Sequence, residues 1–151
     1  MRSMGSRRLK MADYSTKAVW VGGHRGELKC SNGAVVPFSA PAELHGEADV
    51  LTPEDAFVGS LNSCFMLMFI WAVERLKIDL ESYECEAVGS VQEYLDRTST
   101  FSGIALSPKI VARDCSERDI QRALELAEKY SLIWQSITAE VTLSPEIKIL
   151  K

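Results

Sequence analysis

The chain has 151 residues, 46% of them hydrophobic and 25% charged, with a formal net charge of -4. Length and composition are those of an ordinary globular protein, with room for one domain and a real core rather than two. The acidic balance supplies no basic field to attract nucleic acid or an anionic membrane, so a neutral or small partner is expected.

The opening stretch, "MRSMGSRRLKMADYS", carries arginines without an apolar segment after them and does not read as a secretory signal. Residues 1–12 are expected to be a disordered lead or expression remnant before a single domain spanning 13–151. The localisation expected on this basis is cytoplasmic, where thiols stay reduced. The longest unbroken apolar run, Phe65 to Val73, is nine residues. A bilayer requires about 20, so the run reads as protein interior.

In chain order, "YSTKAVWVGG" and "ELKCSNGAVVPF" read as short strands, with Asn32-Gly33 as a hairpin signal. Residues 39–51 show no period and read as a loop. Thr52 then fits a helix N-cap, Pro53 the first helical position and Asp55 the capping acid. The helix that follows runs to about Lys77 and is apolar nearly all round, which marks an element covered on several sides.

Tyr83, Cys85 and Ala87 alternate with Glu84, Glu86 and Val88 in a strand over 80–95. A turn at "DRTST" and a second strand, "FSGIALSPKIVARD", complete a long hairpin. Ser116 and Asp119 form a capping box for a second helix whose stripe is Ile120, Leu124 and Ala127. Strands close the chain in "ITAEVTLSPEIKIL". The order predicts an α+β fold, antiparallel sheets packed with a long buried central helix and a second helix.

Four cysteines, Cys30, Cys64, Cys85 and Cys115, lie 34, 21 and 30 positions apart, with no CxxC pair. His24 and His45 have no ligand-like spacing, so neither a metal site nor a disulfide framework is predicted. Cys64 stands out because it lies in the apolar helix. At about 100° per residue it shares a side with Phe57, Ser60, Leu61, Leu67, Met68 and Trp71. A cysteine there is by default a small buried residue. A reactive thiolate needs a cation nearby, which periodicity alone does not supply.

The segment "SAPAELHGEADVLTPEDAFVGSLNSCF" resembles the OsmC/Ohr family of osmotically inducible and organic hydroperoxide resistance proteins, as does "LAEKYSLIWQSI". In that family a loop, a Pro-Glu helix start and a cysteine ten residues after the glutamate occur in this order. The resemblance implies a thiol-dependent peroxidase reducing organic hydroperoxides, needing no cofactor beyond an external thiol reductant. It assigns Cys64 as the peroxidatic nucleophile, Glu54 as the acid that orients an arginine, and Arg25 of "GGHRGE" as that arginine. Phe57, Met68 and Trp71 are the expected substrate pocket.

The pattern is broken at Lys129-Tyr130-Ser131, where the family's resolving cysteine is expected and a serine stands. Serine cannot condense with a sulfenic acid to a disulfide. Three outcomes follow: an external thiol resolves Cys64; Cys30, Cys85 or Cys115 substitutes; or turnover is lost and the cavity binds a small apolar ligand or lipid.

Within one helix Glu54 and Cys64 are about 15 Å apart along the axis, too far to share one guanidinium. Together with the apolar helix and the family's intertwined assembly, this leads to an expected homodimer with sites built from both subunits.

Overall fold

The computed structural model describes residues 11–151; the expected lead over 1–12 falls almost wholly outside them. Packing divides the chain into two compact units, one ending at Pro53 and one running from Glu54 to Lys151.

The first unit is an antiparallel three-stranded sheet in the order β1 (Thr16–Gly22), β2 (Arg25–Cys30), β3 (Val35–Ser39). The β2–β3 connection carries the anticipated hairpin turn. Gly33 sits at φ 97°, a conformation open to glycine, and the Cys30 amide donates to the Ala34 carbonyl at 2.8 Å. Beyond β3 the chain folds back on itself. The Ser39 hydroxyl accepts the Glu47 amide at 3.2 Å, and the Ser39 amide donates to the Leu51 carbonyl at 3.0 Å.

The second unit contains α1 (Pro53–Arg75), the hairpin β4 (Asp79–Glu93) and β5 (Ser99–Arg113), α2 (Glu117–Tyr130), and the short strands β6 (Glu140–Leu143) and β7 (Glu146–Leu150). β4 pairs antiparallel with β5 along its length. β6 and β7 instead pair parallel with successive parts of β5. The second sheet is therefore mixed, where antiparallel sheets alone were expected. The hydrophobic pattern of a strand shows which faces it buries but not which way its neighbour runs, and the α2 crossover brings the chain back parallel to β5.

Local chemistry sets the helix ends. α1 begins at Pro53 and closes through Lys77 in the left-handed region, with the Ile78 amide returning to the Val73 carbonyl at 3.0 Å. At the start of α2, the Ser116 hydroxyl accepts the Asp119 amide while the Asp119 carboxylate accepts the Ser116 amide, completing the predicted capping box.

One contiguous core lies between the helices and β5. Leu61, Phe65, Phe69 and Ala72 of α1 meet Ile104, Leu106, Ile110 and Ala112 of β5 and Ile120, Ala123, Leu124 and Ala127 of α2. Tyr83, Cys85 and Ala87 pack against this core from β4, on the face the alternation anticipated. The Asn62 side-chain amide ties α1 to β4 by donating to the Cys85 carbonyl at 3.0 Å.

α1, at 23 residues, is long and apolar enough, by length and composition, to cross a bilayer. The nine-residue run understates this, because only Asn62 and Ser63 separate the apolar stretch that follows them from Leu61 and the apolar positions before it. Its core-facing side is nonetheless covered by β5 and α2.

The hairpin packs tightly against α1 at Gly89. A Cβ placed there would lie 2.6 Å from Val58 Cγ2 and 2.8 Å from the Phe101 ring. The Phe101 ring in turn stacks on Phe57 with centroids 4.8 Å apart. Gly89→Ala is expected to destabilise the fold by about 1–3 kcal/mol through overpacking, read as a lower denaturant midpoint at unchanged m-value.

Candidate functional site

Cys64 lies mid-way along α1, half-buried, and the structure sets Ser131 against it. Ser131 is the C-terminal cap of α2 and fully buried. Its hydroxyl donates to the Cys64 Sγ at 3.3 Å. The same oxygen accepts the Trp134 amide at 3.3 Å, which occupies an acceptor site and leaves the hydroxyl proton directed at sulfur.

This arrangement is held from both sides. Where α2 ends, the Gln135 amide returns to the Ser131 carbonyl at 3.1 Å. The following short helical turn, Trp134–Ser136, is anchored by the Trp134 ring against Phe65, centroids 5.6 Å apart. Ser60, one turn before Cys64, has its hydroxyl turned to the Phe57 carbonyl at 2.7 Å, so Ser131 is the hydroxyl presented to the thiol.

Of the pocket residues named from sequence, Met68 and Trp71 lie one and two turns beyond Cys64 and line a groove between α1 and α2. Arg75 and Leu76 of α1 and Arg122, Leu126 and Tyr130 of α2 complete it, enclosing about 620 Å³. The Trp71 and Tyr130 rings meet edge to face at 5.5 Å, and the Arg75 guanidinium lies 5.4 Å from the Trp71 ring. Phe57 is not in this groove. Two turns before Cys64, it faces the β4–β5 hairpin and stacks on Phe101.

The α2 half of the groove was missed from the sequence. Arg122, Leu126 and Tyr130 recur every four residues beside the core stripe, a spacing that marks a second helical face, but only α1 could say what it faces.

Glu54 lies in the first turn of α1, exposed, and among the described residues has no ion-pair partner within 4 Å. Arg25 begins β2 in the first unit and pairs with Glu47 at 3.4 Å. Within the first unit the carboxylate paired with Arg25 is Glu47, from the unpatterned loop. Both side chains of the pair are about half exposed, 45% and 51%, so the pair orients the guanidinium more than it stabilises the fold.

The other thiols differ in character. Burial pushes the Cys85 thiol above its ordinary value. Cys115 is likewise raised by burial, reinforced by the charge of Asp119. Both are thereby kept protonated at neutral pH and disfavoured as nucleophiles. His24 and His45 approach with ring centroids 5.9 Å apart, but among the described residues no group of three or more His, Cys, Asp or Glu side chains is placed to hold a metal ion.

Comparison with known proteins joins this geometry to a family. The chain is 26% identical to the uncharacterized protein YmaD of Bacillus subtilis, over 92% of this chain and 97% of that protein. It superposes on an OsmC-like protein of unknown function from Vibrio cholerae with TM-score 0.81, at 22% identity, covering 89% of this chain and 99% of that one. An organic hydroperoxide resistance protein from Elizabethkingia anophelis matches with TM-score 0.73 at 16% identity, over 95% of this chain and all of that one. The sequence profile of the OsmC-like proteins matches residues 46–146, a span from the loop before α1 to the start of β7, and on that match the chain belongs to the OsmC-like protein family.

Proposed function

We propose that this protein is a thiol-dependent peroxidase that reduces organic hydroperoxides through Cys64, in the cytoplasm, with an external thiol as reductant and no other cofactor. Membership in the OsmC-like family supports a peroxide-related or stress function in general terms. The observation that carries the finer reading is the Ser131 hydroxyl donating to the Cys64 sulfur, beside a groove with aromatic walls.

In this reading the Cys64 thiolate attacks the outer oxygen of a hydroperoxide. The O–O bond breaks, the leaving alkoxide takes a proton and departs as the alcohol, and the sulfur becomes a sulfenic acid. One external thiol condenses with the sulfenic acid, releasing water. A second releases the reduced cysteine and a disulfide of the two reductants. The net reaction consumes one hydroperoxide and two thiols, and yields an alcohol, water and a disulfide.

Ser131 acts here as a hydrogen-bond donor to anionic sulfur. Its hydroxyl favours the thiolate and afterwards accommodates the sulfenate oxygen, but it cannot close a disulfide. Arg25 is the cation that the family resemblance assigns to thiolate stabilisation, and Glu47 is the carboxylate that holds it. The second reading, a family member without turnover that binds an apolar ligand, rests on the same serine and groove.

A dimer belongs to the proposal. Leu67 is 57% exposed on α1 and Met66 37%, on a side turned away from the β5 core. A second copy of the chain would cover that side, and the axial separation of Glu54 from Cys64 fits a site assembled from both subunits.

On peroxide treatment, Cys64 is expected to accumulate as a sulfenic acid trapped by a dimedone-type reagent, with no intramolecular disulfide, as read by intact mass and peptide mapping. Cys64→Ser should abolish the adduct. Ser131→Ala should slow its formation roughly tenfold, the worth of one hydrogen bond to a charged group, and Arg25→Ala should slow it as well. Ser131→Cys should divert the oxidised sulfur into a disulfide with the introduced thiol. A Cys64 no more reactive than Cys30 or Cys115 would leave the binding protein as the better reading.

Peroxidase rates should favour cumene hydroperoxide over hydrogen peroxide, since burying the aryl group in the groove contributes roughly 25 cal/mol per Å² of apolar surface. Equal rates would argue against substrate entry through the groove. Sedimentation at micromolar concentration should give about twice 16.8 kDa, and a folded monomer would remove the shared-site part of the proposal.

A further inference from the structure

The groove between α1 and α2 is polarised along its length. Because Cys64 meets Ser131 and Trp71 meets Tyr130, α1 and α2 run past each other in opposite directions. The end nearest the thiol is built from Met68 and Tyr130, the middle from Trp71 and Leu126, and the far end carries Arg75 and Arg122. From Cys64 to Arg75 along α1 is about 16 Å, and from Ser131 to Arg122 along α2 about 14 Å.

Two exposed guanidiniums, Arg75 from α1 and Arg122 from α2, line this end of the groove and give it a positive sign. Among the described residues neither Arg75 nor Arg122 has a salt-bridge partner within 4 Å. Arg75 rests on the face of Trp71. The nearby acid Asp119 feels the charge of Arg122, but its carboxylate is engaged with the Ser116 amide and hydroxyl in the cap of α2.

We propose that this groove is a binding site for an organic monocarboxylate with an apolar alkyl or aryl body. The carboxylate is held by Arg75 and Arg122, and the body lies along Trp71, Leu126, Tyr130 and Met68 toward the thiol. Guanidinium groups match a carboxylate with paired N–H donors, and a volume of about 620 Å³ suits a small organic ligand. Arg75 sits at the C-terminal end of α1, whose dipole favours a monoanion over a doubly charged phosphate. Nothing in this assignment requires Cys64 to react, so it stands or falls apart from the peroxidase proposal.

The test is isothermal titration of the reduced full-length protein with four probes: decanoate below its micellar concentration, decanol, acetate and inorganic phosphate. Decanoate should bind, with decanol at least tenfold weaker and acetate and phosphate without measurable heat. Arg122→Gln and Arg75→Gln should each weaken decanoate roughly tenfold, while leaving decanol unchanged and the thermal midpoint within a few degrees of wild type. Cys64→Ser should bind decanoate like wild type, which separates this site from thiol chemistry. Leu126→Trp, which fills the groove without removing either arginine, should also abolish binding. Equal affinity for decanoate and decanol, or arginine variants that bind decanoate as wild type does, would overturn the proposal as a nonspecific apolar surface. Phosphate binding as tightly as decanoate would overturn the ligand class.

Discussion

The structure depends on covering one apolar helix. α1 has 23 residues, and its polar side chains are too few to form a solvated face. One side, from Leu61 through Phe65 and Phe69 to Ala72, is sealed by β5 and α2. A second side meets α2: Cys64 touches Ser131 at its cap, and beyond it the Met68, Trp71 and Arg75 positions are only partly filled against Arg122, Leu126 and Tyr130, which makes the groove. The third, with Met66 and Leu67, is open in the single chain. Core, candidate site and proposed subunit contact are thus three faces of one helix, and a change in its rotation would disturb all three.

The place of the thiol follows from that geometry. A cysteine on the core face would be inert, as burial makes Cys85; one on the open face would be an ordinary solvent thiol. Cys64 sits on the boundary, half-buried, where a neighbouring helix can bring one polar atom to it. That atom is a hydroxyl whose own acceptor site is used by the Trp134 amide, so its proton is available to sulfur. A serine at this point exchanges covalent chemistry for electrostatics: it can stabilise charge on sulfur but cannot take the oxidising equivalent away. An external reductant is therefore a chemical necessity for any turnover through Cys64 that does not recruit another cysteine.

Charge in the second unit is distributed with similar economy. Arg113 is paired with Glu81 at 2.8 Å, which draws the carboxyl below its ordinary range, and Asp119 is consumed by the cap of α2. Among the described residues Arg75 and Arg122 have no such partners within 4 Å, and both line one end of the groove. A solvated arginine needs no partner, but two that line one end of a groove with aromatic walls give the proposed subsite its sign.

Much of this was legible from local chemistry. Pro53 starts α1, Ser116 and Asp119 cap α2, Gly33 turns the first hairpin, and the alternation around Cys85 gives the buried face of β4, because each signal acts over a few residues. Composition marked α1 as an element needing cover on several sides, and family resemblance singled out Cys64, Glu54, Arg25 and Ser131. What required the tertiary structure was everything joining distant segments. The parallel pairing of β6 and β7 depends on how the chain returns after α2. The contact between Cys64 and Ser131 spans 67 positions of sequence. Arg25 pairs with Glu47 because the loop after β3 folds back, a geometry no period in that loop announces. The groove exists only where the Met68 to Arg75 face of α1 meets the Arg122 to Tyr130 face of α2. Periodicity tells which residues share a side of a helix; packing alone decides what that side confronts.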